Sequence, residues 1–430
     1  MKIKKIITSF IMLFILSLTV FCNYSFSIYL EIHAKSAILI DSQTSKVLYA
    51  KDAYKKMYPA STTKILTAIL AIENLSLDEK VKASYQAVMS IPSGYSNAAI
   101  QVGESLTVQE LLEVFLVHSA NEAGYILAEA VSGSVSEFAN LMNKKSTEIG
   151  CENTHFTNPS GLHDENHYTT AYDLALIAQY CMKNETFRSI VSMPSCSIAA
   201  TDKYEERYFR NTNEMLNPKS QYYYENVIGI KTGYTSKAQN CLIAAAKKDN
   251  TELISVVLAA PGYLDANKLS GKFTDTKTLL DYGLEAYSYE NIASAGQVIT
   301  QVEVEKATSD TKNLDIILEK NIDALIHSST NIETLNPKIE INENITAPIS
   351  ANQVLGTISY TIEGSTYTSN LLAKNDVERS VFLKNILRIC LIIVILIIIF
   401  ELMHLKKNKN GKNRKNKKAS GKYLYGRVKY

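Results

Sequence analysis

The spacing of apolar positions changes several times along the chain, and each change predicts an element. Lys2, Lys4 and Lys5 precede a mainly apolar run over 6–21, the layout of a secretory signal. Thr19, Val20 and Phe21 are bulky where a lipid-bearing cysteine at Cys22 would need small residues before it. Apolar stretches at 36–41 and 46–50 flank a short polar turn and predict a β-hairpin; 241–247 and 252–260, around Asp249-Asn250, predict a second. Between the hairpins the period is helical, over 62–75, 108–116, 122–131, 135–149 and 170–182. The last of these opens with Thr170-Ala-Tyr-Asp173, a capping-box pattern. Strands at both ends with helices between them predict an α+β fold, one antiparallel sheet covered by a helical insertion. From about residue 287 the texture turns to short alternating runs (298–304, 314–318, 354–360) broken by Asn, Ser, Gly and Pro, which predicts a small all-β domain.

Near the other end, 386–405 is apolar with Arg388 and Glu401 close to its limits, where long side chains reach the interface, and it shows no polar face. A transmembrane helix is predicted there. Charge gives its direction. The chain of 430 residues carries a net +2, but 406–430 holds eleven Lys and Arg and no acid, so removing that tail leaves −9. Removing the three N-terminal lysines as well leaves about −12 for the middle of the chain, the wrong sign for a nucleic-acid groove. The basic tail marks the cytoplasmic side, against anionic lipid. The expected organisation is a signal peptide (1–27), a catalytic domain (28–285), an all-β stalk (286–378), a single span (386–405) and a basic cytoplasmic tail (406–430). The catalytic part then lies outside the cell membrane. Of the six cysteines, Cys151, Cys181, Cys196 and Cys241 fall in the exported part, where buried free thiols are expected rather than disulfides.

Three short patterns carry candidate chemistry. In Tyr58-Pro-Ala-Ser61-Thr-Thr-Lys64 the i,i+3 spacing puts the Ser61 hydroxyl and the Lys64 amine on one helix face, and an amine whose pKa is lowered by burial or a nearby cation serves as the base of a nucleophilic serine. Ser119-Ala-Asn121 lies between two predicted helices, and Lys231-Thr232-Gly233 follows the apolar Val227-Ile-Gly-Ile230. Singly the first two are cheap, since Ser309-Asp-Thr-Lys312 and Ser329-Thr-Asn331 repeat them. In this order and between two hairpins they form the serine set of penicillin-binding proteins and class A β-lactamases. His163-Asp-Glu-Asn-His167 has the i,i+4 spacing of a zinc helix, but Gly161 before it and the cap at Thr170 after it place it in a loop, so surface histidines and no metal site are expected.

With these blocks the chain resembles the low-molecular-weight penicillin-binding proteins, the D-alanyl-D-alanine carboxypeptidases. Ser36-Ala-Ile-Leu-Ile-Asp41, Gly103-Glu104, Ser119-Ala-Asn-Glu122, Asn158-Pro-Ser-Gly-Leu162, Gly229-Ile-Lys-Thr-Gly-Tyr-Thr235 and, more loosely, Ala347-Pro-Ile-Ser-Ala-Asn-Gln-Val-Leu-Gly356 are similar to the family's sequence blocks. Ile228, Gln239 and an anchor that reads as a span depart from its pattern without touching a catalytic position. The resemblance implies a penicillin-binding/β-lactamase-like serine transferase-hydrolase domain that takes peptidoglycan stem peptides as substrate and β-lactams as acylating inhibitors, with no cofactor. By the same resemblance Ser61 attacks the carbonyl between the last two D-alanines, Lys64 takes its proton, and Ser119 relays one to the leaving amine. Asn121 holds the substrate amide, Lys231 and Thr232 bind the terminal carboxylate, and the backbone of Ser61 and of Tyr234, next to Gly233, supplies the oxyanion hole. Lys231 is expected to act as a permanent cation that lowers the pKa of Lys64. The rivals are a serine β-lactamase, for which Glu165 is the candidate deacylating base, and a silent wall-binding scaffold of the same fold.

Overall fold

The computed structural model describes residues 30–264 and 268–419; the expected signal peptide and the end of the basic tail lie outside them. The described chain forms two compact units, one comprising residues up to Tyr289 together with Leu325–Ser329 and the other Glu290–Ala324 with the residues from Thr330 on.

The first unit is built on a five-stranded antiparallel sheet of β1 (Ser36–Asp41), β2 (Val47–Lys51), β3 (Val227–Thr235), β4 (Gln239–Lys248) and β5 (Thr251–Ala260), in the order β2-β1-β5-β4-β3. Both faces are covered, which explains why β1 is continuously apolar rather than alternating. Ile38 and Ile40 point into one core with Ile243, Ile254 and Val256, whereas Ala37 and Leu39 point into the other with Leu242, Leu253 and Val257. The first core holds the helical insertion: α1 (Lys64–Asn74), α2 (Val108–Glu113), α3 (Asn121–Ser132), α4 (Val135–Ile149) and α5 (Ala171–Met182). Thr170 caps α5 by accepting from the Asp173 N–H at 3.0 Å.

Two predicted helices differ in a way that matters for chemistry. The one expected over 62–75 begins with a tight 3-10 turn at Ala60–Thr63 before α1, and the one over 108–116 passes from α2 into a π turn at Val114–His118 that ends on Ser119 with φ +71. Both irregularities sit where a motif residue has to be turned out of its helix. The opposite face of the sheet is covered by α6 (Gly271–Ala286), which the apolar pattern does not predict. Its buried side includes Asp275 and Thr276 among Phe273, Leu279, Leu280 and Leu284, so its period is broken by polar residues. Asp275 is satisfied by the backbone N–H groups of His33 and Ala34, the latter at 2.6 Å.

The second unit has its own antiparallel sheet of β6 (Val298–Glu303), β7 (Asn313–Leu318), β8 (Lys338–Ile341), β9 (Val354–Ile362) and β10 (Ser365–Ala373), in the order β6-β7-β10-β9-β8. Leu314, Ile316, Ile358 and Leu371 form its core. The repeated motifs are structural: Lys312 pairs with Glu303 at 2.6 Å, and Asn331 caps a single turn by accepting from the Glu333 N–H. The chain continues into α7 (Phe382–Ala419), and its stretch Lys384–Lys407 is long and apolar enough to cross a membrane, with none of it buried in the protein.

Candidate active site

Five predicted residues, Ser61, Ser119, Thr232, Gly233 and Tyr234, line one cavity of about 390 Å³; Lys64, Asn121 and Lys231 are buried beside it. Ser61 sits on the 3-10 turn and Lys64 opens α1, so Oγ and Nζ meet at 2.8 Å. Nζ also donates to Asn121 Oδ1 at 2.8 Å and to the Ser160 carbonyl at 2.7 Å. The last two oxygens only accept. A neutral Lys64 therefore spends both N–H groups on them and turns its lone pair to Ser61, whose hydroxyl then donates.

Burial, and after it the charge of Lys231, holds Lys64 well below the usual lysine range, while Glu122 pulls it the other way. The sequence leads one to expect Lys231 as a permanent cation, and its surroundings work against that charge. Fully buried in β3, with the Lys272 charge nearby, it is itself lowered to about 7. Its amine makes one hydrogen bond, to the Thr232 carbonyl at 3.3 Å, which leaves donors for an incoming anion.

The loop Asn158-Pro-Ser-Gly-Leu162 presents the Ser160 carbonyl because Asn158 Oδ1 accepts from the N–H groups of Ser160, Gly161 and Leu162, the shortest at 2.8 Å. Gly161 has φ +79 and packs its Cα against the Ala60 carbonyl, where a side chain has no room. Gly233 brings β3 onto the nucleophile in the same way: a Cβ there would stand 3.1 Å from both the Pro59 carbonyl oxygen and the Ser61 nitrogen. β3 is also the edge strand on this side of the sheet, so one row of its backbone groups faces the cavity.

The opposite wall, Gly94–Ser96, is fastened from behind. The Ser96 carbonyl accepts from the backbone N–H and the Nδ2 of Asn121, at 3.0 and 2.8 Å, and Glu122 accepts from the Ala98 N–H at 2.6 Å. Burial raises the Glu122 carboxyl. Arg207 donates to the carbonyls of Ala98 and Ala99 and forms a buried ion pair with Glu104, which gives the Gly103-Glu104 block a structural reason.

Three residues have parts here that the sequence did not signal. Thr212 shares a 2.6 Å hydroxyl contact with Thr232 at the cavity wall. Lys272, from the unpredicted α6, lines the same cavity as a second amine near Lys231 and is lowered by burial. His167 is no surface histidine: it is buried behind the nucleophile, its Nδ1 accepting from the Thr157 N–H and its Nε2 meeting Thr63 Oγ1 at 2.8 Å. Burial lowers it to about 3, so it stays neutral. Glu165 is exposed and lines a different cavity from Ser61. Cys151, Cys181 and Cys241 are buried free thiols, and Cys196 is free and partly exposed. No cluster of His, Cys, Asp and Glu that could hold a metal occurs among the described residues.

Comparison with known proteins gives a consistent result. Residues 24–262 match the family Peptidase_S11, D-alanyl-D-alanine carboxypeptidase, and 287–379 match the penicillin-binding protein 5 C-terminal domain. D-alanyl-D-alanine carboxypeptidase DacF of Bacillus subtilis (strain 168) is 34% identical over 362 residues, 83% of this chain and 88% of its own length. The crystal structure of penicillin binding protein 5 from Haemophilus influenzae superposes with a TM-score of 0.64 at 28% identity, covering 81% of this chain and 98% of that one. A mutant of Streptomyces K15 DD-transpeptidase, 30% identical, superposes with a TM-score of 0.54 over 59% of this chain and 98% of its own.

Proposed function

The chain belongs to the D-alanyl-D-alanine carboxypeptidase family of penicillin-binding serine peptidases, and on that premise we propose how its own residues divide the reaction. Ser61 Oγ attacks the carbonyl between the two terminal D-alanines of a peptidoglycan stem peptide and passes its proton to neutral Lys64. The oxyanion is met by the backbone N–H groups of Ser61 and Tyr234, each donor worth roughly 3 kcal/mol in the transition state. Ser119 relays a proton to the departing amine, D-alanine leaves, and water activated by Lys64 opens the acyl ester. Lys231, Thr232 and, from the same wall, Thr212 and Lys272 take the terminal carboxylate, while Asn121 holds Lys64 and the substrate amide. β-Lactams acylate the same serine.

The single observation that carries this reading is the hydrogen bonding of Lys64, whose bonds to Asn121 and Ser160 use both N–H groups of the neutral amine and turn its electron pair to Ser61. Incubating the protein with labelled penicillin and with a D-Ala-D-Ala pentapeptide tests it. Stable labelling and D-alanine release are expected. Rapid penicillin turnover without D-alanine release would favour the β-lactamase, although Glu165 lining a cavity separate from Ser61 speaks against that. Neither activity would leave the silent scaffold.

The two lysines give the reaction a pH signature. Lys64 works unprotonated and Lys231 protonated. In the free enzyme Lys231, at about 7, carries its charge below that pH and loses it above. The pH profile of kcat/KM should therefore fall at alkaline pH by about tenfold per unit, mostly through KM, and fall at acid pH as Lys64 is protonated. Lys231→Arg, whose charge persists, should remove the alkaline limb in steady-state assays; a limb that survives belongs to another group.

The helix Lys384–Lys407 fits a single-pass membrane anchor, and the basic residues after it support a cytoplasmic C-terminus with the catalytic unit outside. Val377 is buried and exchanges two backbone hydrogen bonds with Ile349, so a release cut belongs after Ser380. That truncation should yield a soluble, fully active enzyme. Protease added to intact cells should spare the tail after Lys406, and its digestion from outside would reverse the proposed topology.

A further inference from the structure

A second cavity, of about 460 Å³, borders the first. It is lined by Lys35, Lys55, Lys56 and Lys237 with Tyr58 and Tyr168, and among the described residues Glu165 is its one acid. The four lysines come from three separate segments: the approach to β1, the loop before the nucleophile, and the β3–β4 turn. None of them makes an ion pair with another of the described residues, and Lys56 rests its amine 4.2 Å from the Tyr168 ring centre. This excess of positive charge is local, since the middle of the chain carries about twelve excess negative charges.

The position is as informative as the charge. Thr235 and Ser236 line the Ser61 cavity, and the next two residues, Lys237 and Ala238, line the second one; likewise Ser61 faces the first and Tyr58 the second. On the proposed roles, the substrate carboxylate lies at Lys231 and Thr232 and the scissile carbonyl at Tyr234. The peptide then runs antiparallel to the free edge of β3, and its upstream residues pass Thr235 at about 3.3 Å per residue towards the β3–β4 turn. We propose that the lysine-lined cavity is a subsite for a free carboxylate on the donor peptide, about two residues upstream of the scissile bond. This rests on the carboxypeptidase reading above. The acid of a stem peptide is recognised there by charge, and neutralising it as an amide removes the recognition.

Two probes that differ by one group test this: N-acetyl-γ-D-glutamyl-(Nε-acetyl)-L-lysyl-D-alanyl-D-alanine and its α-carboxamide. At low salt the wild type should process the acid with kcat/KM about tenfold above the amide, mostly in KM, and salt should erode the difference. The triple variant Lys55→Ala, Lys56→Ala, Lys237→Ala should bring the ratio to about one, and Lys237→Glu alone should turn it towards the amide. Equal kcat/KM for the two probes in the wild type overturns the subsite alone. A preference that survives in the triple variant places the recognition elsewhere. Absence of D-alanine release from both probes overturns the carboxypeptidase reading with it.

Discussion

Ser61→Ala is expected to abolish penicillin labelling and D-alanine release together, a loss of at least about 10⁴-fold in kcat. The hydroxyl is the one group that gives its proton to Lys64 and takes the acyl group, so no neighbour can substitute. Ser119 faces the same cavity, but Lys64 is hydrogen-bonded to Ser61, Asn121 and Ser160, not to it. Structurally the change is small. Ser61 Oγ makes one hydrogen bond, at 2.8 Å to Lys64, and the lysine keeps its bonds to Asn121 and Ser160. The thermal midpoint should stay within a few degrees, since active-site polar groups are kept for function rather than stability. Gel detection of bound fluorescent penicillin, beside a melting curve, checks both halves. Residual labelling in a folded variant would mean a different nucleophile.

A second large effect is expected where no reacting atom is touched. In Gly161→Ala the new Cβ would stand 1.8 Å from the Ala60 carbonyl oxygen and 2.8 Å from Thr63 Oγ1, at a φ of +79 that side chains seldom adopt. Backbone has to give way on one side or the other. On one side is the turn that carries Ser61; on the other is the loop whose Ser160 carbonyl orients Lys64 at 2.7 Å. The variant should lose about 3 kcal/mol of stability and about 10² in acylation rate, because a displacement of an ångström at an aligned pair costs that much. Urea denaturation and stopped-flow acylation measure the two. A rate within twofold of wild type would show that the loop does not hold the base.

The motif residues were legible in the sequence because their chemistry leaves little choice of residue type, and their order between two hairpins is informative. The first hairpin and α3 to α5 were legible because their apolar faces are unbroken. What stayed hidden depends on contacts between distant segments. Thr212 meets Thr232 from a loop with no pattern of its own, and Lys272 belongs to a helix whose inward side includes Asp275 and Thr276. His167 looks like any loop histidine until Thr63 and Thr157 are seen to bury it. The lowered pKa of Lys231 was hidden for a related reason: its depth in β3 is a property of the packed sheet.

The order of strands in the first sheet also sets a timetable. β5, the last of the five strands of that sheet along the chain, is the central one, hydrogen-bonded to β1 on one side and β4 on the other. The opening hairpin thus waits, unpaired along its inner edge, until Ala260 is available, and the cleft has no far wall until β3 has arrived. Nascent chain shorter than that has neither a closed core nor a competent serine. Folding is accordingly a late, long-range and all-or-none event, with slow closure and no partly active precursor. For a hydrolase of the wall, this delays activity until almost the whole catalytic unit has been delivered.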